Sequence, residues 1–192
     1  MKRMLVLVAS LPVLWASNAS ATVLVTLDSI TPEGGGIYEW IYRASLQPEQ
    51  TLRTNDFFTL YDVGNFVTGN FGASDISQQS FFNVTHQATG DNPGSTHPIE
   101  SNLPNFTVHY TGTDIVPAPG SGAVTLGNLV IRSTTNQSVK SFYAAQSLVT
   151  GGNEIVNGQP ISVPVPEPGS VAMLVAGLAA VGGLAFRRKT FG

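Results

Sequence analysis

The stretch TVLVTLDSI at residues 22–30 decides the fold class. Every second residue from Val23 to Leu27 is apolar, and alternation with a period of two is typical of a β-strand with one buried face. TPEGGG at 31–36 then interrupts the chain with turn-forming residues. IYEWIYRASL at 37–46 forms a second run, which is rich in aromatic residues. The sequence therefore predicts two strands separated by a turn.

Short apolar runs between turn formers continue along the chain. Runs of this length, bounded by Gly, Pro and Asn, are typical of strands. Eight or so strands at this spacing predict an all-β fold, with an antiparallel β-sandwich or jelly-roll-like domain over residues 22–163. The remaining runs are 56–67, 76–88, 103–110, 123–132, 139–149 and 154–163, with loops at 89–102 and 114–122. The predicted core residues are Val25, Leu27, Trp40, Phe58, Leu60, Val108, Leu129, Ile131 and Phe142.

The composition agrees with a β-rich domain and excludes several functions. Charged residues make up 11% of the 192 residues, whereas 20 Gly and 12 Pro supply turns. The chain has no cysteine, so neither a disulfide nor a thiolate metal site can form. Residues 22–163 contain four Lys and Arg against eleven Asp and Glu, a net charge of −7. A domain this acidic is not expected to bind nucleic acid.

The amino terminus has three parts. A basic pair at 2–3 precedes an apolar run at 4–15, and the small residues Ala-Ser-Ala follow at 19–21. This order predicts a signal peptide at 1–21, removed on export. An amino-terminal membrane helix is the alternative. Pro12 interrupts the apolar run, however, and the run is shorter than the roughly 20 residues that a span needs.

Residues 164–192 show a second three-part pattern. The proline-rich start is expected to be extended and accessible, because proline fixes φ and has no N–H to donate. The uncharged run at 171–186 would be roughly 25 Å long as a helix, which can cross a bilayer when flanking residues snorkel. The basic tail at 187–189 is expected to stay cytoplasmic. We therefore predict a transmembrane helix at 171–186, with the domain at 22–163 on the outer side.

This tail resembles the PEP-CTERM sorting region of bacterial exported proteins, which combines a proline-glutamate-proline element, an apolar helix and terminal arginines. The resemblance implies a substrate of exosortase, a membrane enzyme that cleaves near the tripeptide. It also implies a membrane-anchored precursor, held through 171–186, that moves to the cell surface or extracellular matrix. A permanent tail anchor is the alternative. The sorting residues implied by the resemblance are Pro166, Glu167, Pro168, Arg187 and Arg188.

Catalytic motifs are sparse in this sequence. His86, His97 and His109 lack the spacing of a metal-binding motif, so we predict no metal site and no cofactor. Asp56 and Asp62 would share one face of an unbroken strand, an arrangement open to a glycosidase carboxylate pair, but solvated strand ends are commoner for Asp beside Gly and Asn. The sequence therefore predicts a protein that is not an enzyme.

Tyr38, Trp40 and Tyr42 lie two residues apart and so on one face of a predicted strand. Such a face is a candidate sugar-stacking platform for an extracellular polysaccharide, with packing inside the domain as the alternative. The leading hypothesis is a non-enzymatic surface or matrix protein with a structural or adhesive role. A carbohydrate-binding module is the second hypothesis, and a secreted hydrolase with a site assembled by the fold is the third.

Overall fold

A computed structural model describes residues 23–87 and 103–165. These residues form strands and one 3-10 helix, Ile76–Phe81. Within the same residues no helix is long and apolar enough to cross a membrane. The strands are β1 (Val23–Gly34), β2 (Ile37–Leu46), β3 (Gln50–Thr51), β4 (Phe57–Leu60), β5 (Phe66–Ala73), β6 (Phe82–Gln87), β7 (Asn105–Tyr110), β8 (Val124–Ser133), β9 (Ser138–Val149) and β10 (Glu154–Pro164).

The strands form two antiparallel sheets. The first sheet has the order β1-β2-β8-β5, and the second has the order β10-β9-β4-β7-β6, with β3 pairing with β9. The all-β prediction is confirmed. The turn that joins β1 to β2 uses Gly34, Gly35 and Gly36 at φ of 95°, 61° and 78°, values that residues with a Cβ adopt at a cost.

One hydrophobic core contains residues from both sheets. Phe71 of the first sheet meets Phe58 of the second with ring centroids 5.9 Å apart, and Phe66 meets Phe106 at 4.6 Å. Among the predicted core residues, Leu27 is partly buried against this core. Those that are fully buried, as predicted, are Val25, Trp40, Phe58, Leu60, Val108, Leu129 and Ile131.

The prediction that Phe142 belongs to the core is wrong. Its side chain is 44% exposed, whereas its neighbour Tyr143 is 1% exposed. Successive residues of a strand point to opposite faces, so an error of one residue in register exchanges the buried and exposed sets. In this part of β9 the buried face is the one that contains Ser141 and Tyr143, and Phe142 lies on the opposite face.

Two other predicted runs are corrected. The run at 56–67 is not one strand: β4 and β5 belong to different sheets, and the chain turns between them at Asp62 and Asn65, both at positive φ. The run at 76–88 begins as the 3-10 helix, because the Asp75 side chain accepts a hydrogen bond from the Ser77 N–H and caps its start. The loop at 114–122 is present between β7 and β8, and the loop at 89–102 lies outside the described residues.

The register of the strands gives the two sheets two distinct ends. Tyr38 pairs with Ser133 in the first sheet, and Ser138 pairs with Pro164 in the second. We call this the exit end, because β10 finishes there. It consists of the turn at 34–36, Asn65, the loop at 134–137 and Val165. The opposite end contains the 3-10 helix and the 114–122 loop.

The close approach of β8 to β5 gives a test of the fold. A Cβ on Gly127 would lie 2.2 Å from the carbonyl oxygen of Gly72, so Gly127→Ala must displace backbone. We expect this change to lower the free energy of unfolding by about 1–3 kcal/mol in urea denaturation followed by circular dichroism. Gly72→Ala is the matched control, since a Cβ there meets nothing within 4 Å. Equal stability of the two variants would contradict the register.

Candidate functional site

The aromatic trio does not form an exposed platform. Trp40 and Tyr42 are fully buried, and only Tyr38 is partly exposed. The indole Nε1 of Trp40 donates to the Thr135 carbonyl at 2.9 Å, and the Tyr42 hydroxyl donates to the Ser162 carbonyl at 3.1 Å. Burial raises the pKa of Tyr42. A ring that stacks on a sugar must be reachable from solvent, so these side chains act in packing.

Asp56 acts as an anchor for the turn before β4. One carboxylate oxygen accepts from the Arg53 backbone N–H at 2.7 Å, and the other lies 3.8 Å from the Arg53 guanidinium. The side chain is 2% exposed, and this desolvation raises the pKa of Asp56, against the lowering effect of the Arg53 hydrogen bond and charge.

Asp62 lies beyond the other end of β4, in the turn that leads to β5. Its backbone has φ of 59°, and its N–H donates to the Asn105 side chain at 2.9 Å. Its carboxylate accepts from the Ser141 hydroxyl at 3.1 Å. Both acids therefore lie outside β4, which covers only Phe57–Leu60. They do not share one strand face, as a glycosidase carboxylate pair on an unbroken strand would.

The histidines pack against aromatic rings. His86 stacks on Phe106 with centroids 5.9 Å apart and lies 5.2 Å from Phe66, while His109 lies 5.7 Å from Phe57. His97 is outside the described residues. In the described ranges, no group of three or more His, Asp and Glu side chains is placed to hold a metal ion.

An open cleft at the end opposite the exit end was not predicted from the sequence. Its volume is about 370 Å³. It is lined by Pro48 and Glu49, by the loop residues 116–121, and by Val149 and Thr150. The Pro117-Ala118-Pro119-Gly120 segment was the sequence signal for this wall, since it marks a loop. Glu49, which has φ of 64°, is the one ionisable side chain among the described residues of the lining.

The candidate sorting region joins directly to the second sheet. Pro164 is the last residue of β10, and its carbonyl accepts from the Gly64 N–H at 3.0 Å. Val165 donates its N–H to the Gln137 carbonyl at 2.9 Å. The predicted sorting residues Pro166, Glu167, Pro168, Arg187 and Arg188, and the predicted helix at 171–186, lie outside the described residues.

Trp40 offers a direct spectroscopic test of burial. The chain has two tryptophans, so protein that begins at Thr22 retains Trp40 but not Trp15. We expect a blue-shifted emission that iodide quenches poorly and that soluble polysaccharides leave unchanged, because the indole has no exposed surface. Emission that shifts on addition of a polysaccharide would revive the stacking platform.

Asp56 gives a test by substitution. Asp56→Asn keeps an oxygen acceptor for the Arg53 N–H, so we expect stability at pH 7 within about 1 kcal/mol of the parent chain. Asp56→Ala leaves that donor unpaired and should cost about 1–3 kcal/mol in urea denaturation.

The raised pKa of Asp56 also predicts how the stability of the domain changes with pH. The folded-state pKa of Asp56 is raised above the ordinary 3.8, so folding favours the protonated acid. The stability of the parent chain relative to Asp56→Asn should be greatest below pH 3.8 and should fall as pH rises through the folded-state pKa. A relative stability that rises over this window would contradict the assigned environment.

Comparison with known proteins identifies the tail. A sequence comparison with curated proteins gave no match for the chain. Residues 164–189 match the family model of the PEP-CTERM protein-sorting motif. The match includes the Pro166-Glu167-Pro168 element and the terminal arginines that the sequence resemblance singled out. The chain therefore carries a PEP-CTERM sorting motif, which marks it as an exported protein targeted to exosortase, with a membrane-anchored precursor.

Proposed function

We propose that the protein is a non-enzymatic component of the cell surface or extracellular matrix, delivered there by exosortase processing. The observation behind this proposal is the sorting motif at 164–189, which continues directly from the last strand of a β-sheet domain. In this proposal the signal peptide at 1–21 starts export. The helix at 171–186 then holds the precursor until cleavage, and the domain is the working part.

A structural or adhesive role is supported by how the described side chains are used. The carboxylates of Asp56 and Asp62 accept hydrogen bonds that hold turns, and Trp40 and Tyr42 are inside the core. The aromatic side chains that a carbohydrate-binding module would use, and the acids that a hydrolase would use, thus stabilise the domain. A carbohydrate-binding role would need a surface other than the aromatic trio.

The proposal includes an architecture suited to a scaffold. We infer that the two sheets stack as a two-layer sandwich, supported by ring contacts between them such as Phe71 with Phe82 at 4.7 Å. A jelly-roll connection order stays a prediction. A sandwich without disulfides stays folded outside the cell through packing and backbone hydrogen bonds, which do not depend on redox conditions.

Glu167 provides the test of the sorting route. In a host that expresses exosortase, Glu167→Ala should block cleavage, while the apolar run at 171–186 still holds the chain in the membrane. Fractionation should then find the variant in the membrane and the parent chain at the surface or in the matrix. Mass spectrometry of the surface fraction should show a parent chain that ends near the Pro166-Glu167-Pro168 element.

Glu49→Ala is the matched control, since it removes an exposed glutamate at the end of the domain opposite the exit end. This variant should be processed like the parent chain. Recovery of the intact carboxyl-terminal peptide ending in Phe191 and Gly192 from surface protein would instead support a permanent tail anchor.

A further inference from the structure

The sorting tripeptide follows the folded domain almost without a linker. Val165 is hydrogen-bonded to Gln137, and Pro166 is the next residue in the chain. At up to about 3.6 Å per residue, Pro168 lies within roughly 11 Å of Val165. Fraying of the strand end adds little, because Val163 is 0% exposed and belongs to the core. Counted from Val163, the maximum reach to Pro168 is about 18 Å.

Backbone hydrogen bonds join the segments of the exit end to each other around Val165, where the chain leaves the domain. The Thr134 N–H donates to the Asn65 carbonyl at 3.0 Å, and the Gly64 N–H donates to Pro164 at 3.0 Å. The loop at 134–137 is therefore tied both to the β4–β5 turn and to the end of β10. The domain cannot swing away from the tripeptide at a hinge placed before Val165.

A peptidase must bring its reacting groups to within bonding distance of the peptide that it cleaves. Paired strands lie about 4.8 Å apart, so the five strands in the order β10-β9-β4-β7-β6 make the second sheet about 19 Å wide, which exceeds the 11 Å tether. An enzyme engaged on the tripeptide therefore meets the surface around Val165. We propose that the exit end docks against the exosortase while the tripeptide is in its active site. This inference rests on the proposed sorting function.

The side chains at the exit end favour a protein partner over the bilayer surface. The exposed residues are neutral: the glycines at 34–36 and the polar residues Thr134, Asn136 and Gln137. Two cations lie near this end among the described residues. Arg132 is bound by the carboxylates of Glu33 at 2.6 and 2.8 Å and of Glu39 at 3.0 Å, and Lys140 is an exposed residue of β9. The described residues around the exit end thus include one exposed lysine and no cluster of cations of the kind that binds anionic lipid headgroups.

The absence of cysteine from the sequence allows a clean test with the full precursor in membranes that contain exosortase. Asn136→Cys places a thiol on the exit end, and Ile76→Cys places one on the opposite end, where the native side chain is 83% exposed. Each variant is coupled to a maleimide-polyethylene glycol of about 5 kDa, chosen to exceed the tether in size. The fraction cleaved is then followed over time.

We expect the polymer at position 136 to slow cleavage at least tenfold, and the polymer at position 76 to change it less than twofold. Insertion of 12 Gly and Ser residues between Val165 and Pro166 adds up to about 40 Å of reach and should restore cleavage of the modified Asn136→Cys chain. Equal cleavage of the two modified chains would overturn the docking proposal. So would a block at position 136 that the linker does not relieve.

Two further experiments distinguish docking on exosortase from contact with lipid and from simple obstruction by the domain. A maleimide-benzophenone probe at position 136 should form an adduct with exosortase, and an adduct with lipid alone would assign the exit end to the bilayer and overturn the proposal. If the unmodified precursor is cleaved only after linker insertion, sorting holds but the domain obstructs the enzyme, which also overturns docking. If neither unmodified chain is cleaved, the proposed sorting function itself fails, and docking fails with it.

Discussion

Aromatic rings packed between the two sheets are the interaction on which the rest of the domain depends. Phe71 of β5 contacts Phe58 and Phe82 of the second sheet, and Phe82 in turn contacts Tyr110. Each such pair contributes about 0.5–1.5 kcal/mol beyond the area that it buries. Because the chain has no cysteine, packing contacts such as these must hold the two sheets together, while the strand hydrogen bonds hold each sheet.

This use of aromatic residues bears on function. A side chain that fills the core cannot also contact a ligand, and Trp40 and Tyr42 are both fully buried. Their polar atoms are satisfied inside the protein, by Thr135 and Ser162. The bond from Tyr42 to Ser162 also joins the first sheet to β10, the strand that runs into the sorting motif.

The folded domain therefore continues into the sorting motif without a linker. The matched motif begins at Pro164, a residue that is still paired in the sheet, so the boundary between domain and signal falls within a strand and not in a linker. Such a boundary limits how far the cleavage point can move from the domain.

The sequence by itself determined what depends on local pattern. Alternation in β1 and β2, glycine at the turn between them and prolines near the motif are local features, and they identified the strands and the sorting signal. The core assignment of Trp40 and Leu129 also followed from local alternation. Only the tertiary structure decided which face of β9 is buried and which strands are neighbours. Phe142 faces outward because the register of β9 is set by pairing with β4, a strand distant in sequence, as well as with the adjacent β10. Asp56 and Asp62 are separated because the chain changes sheets after β4, a choice made by long-range packing that no local pattern encodes.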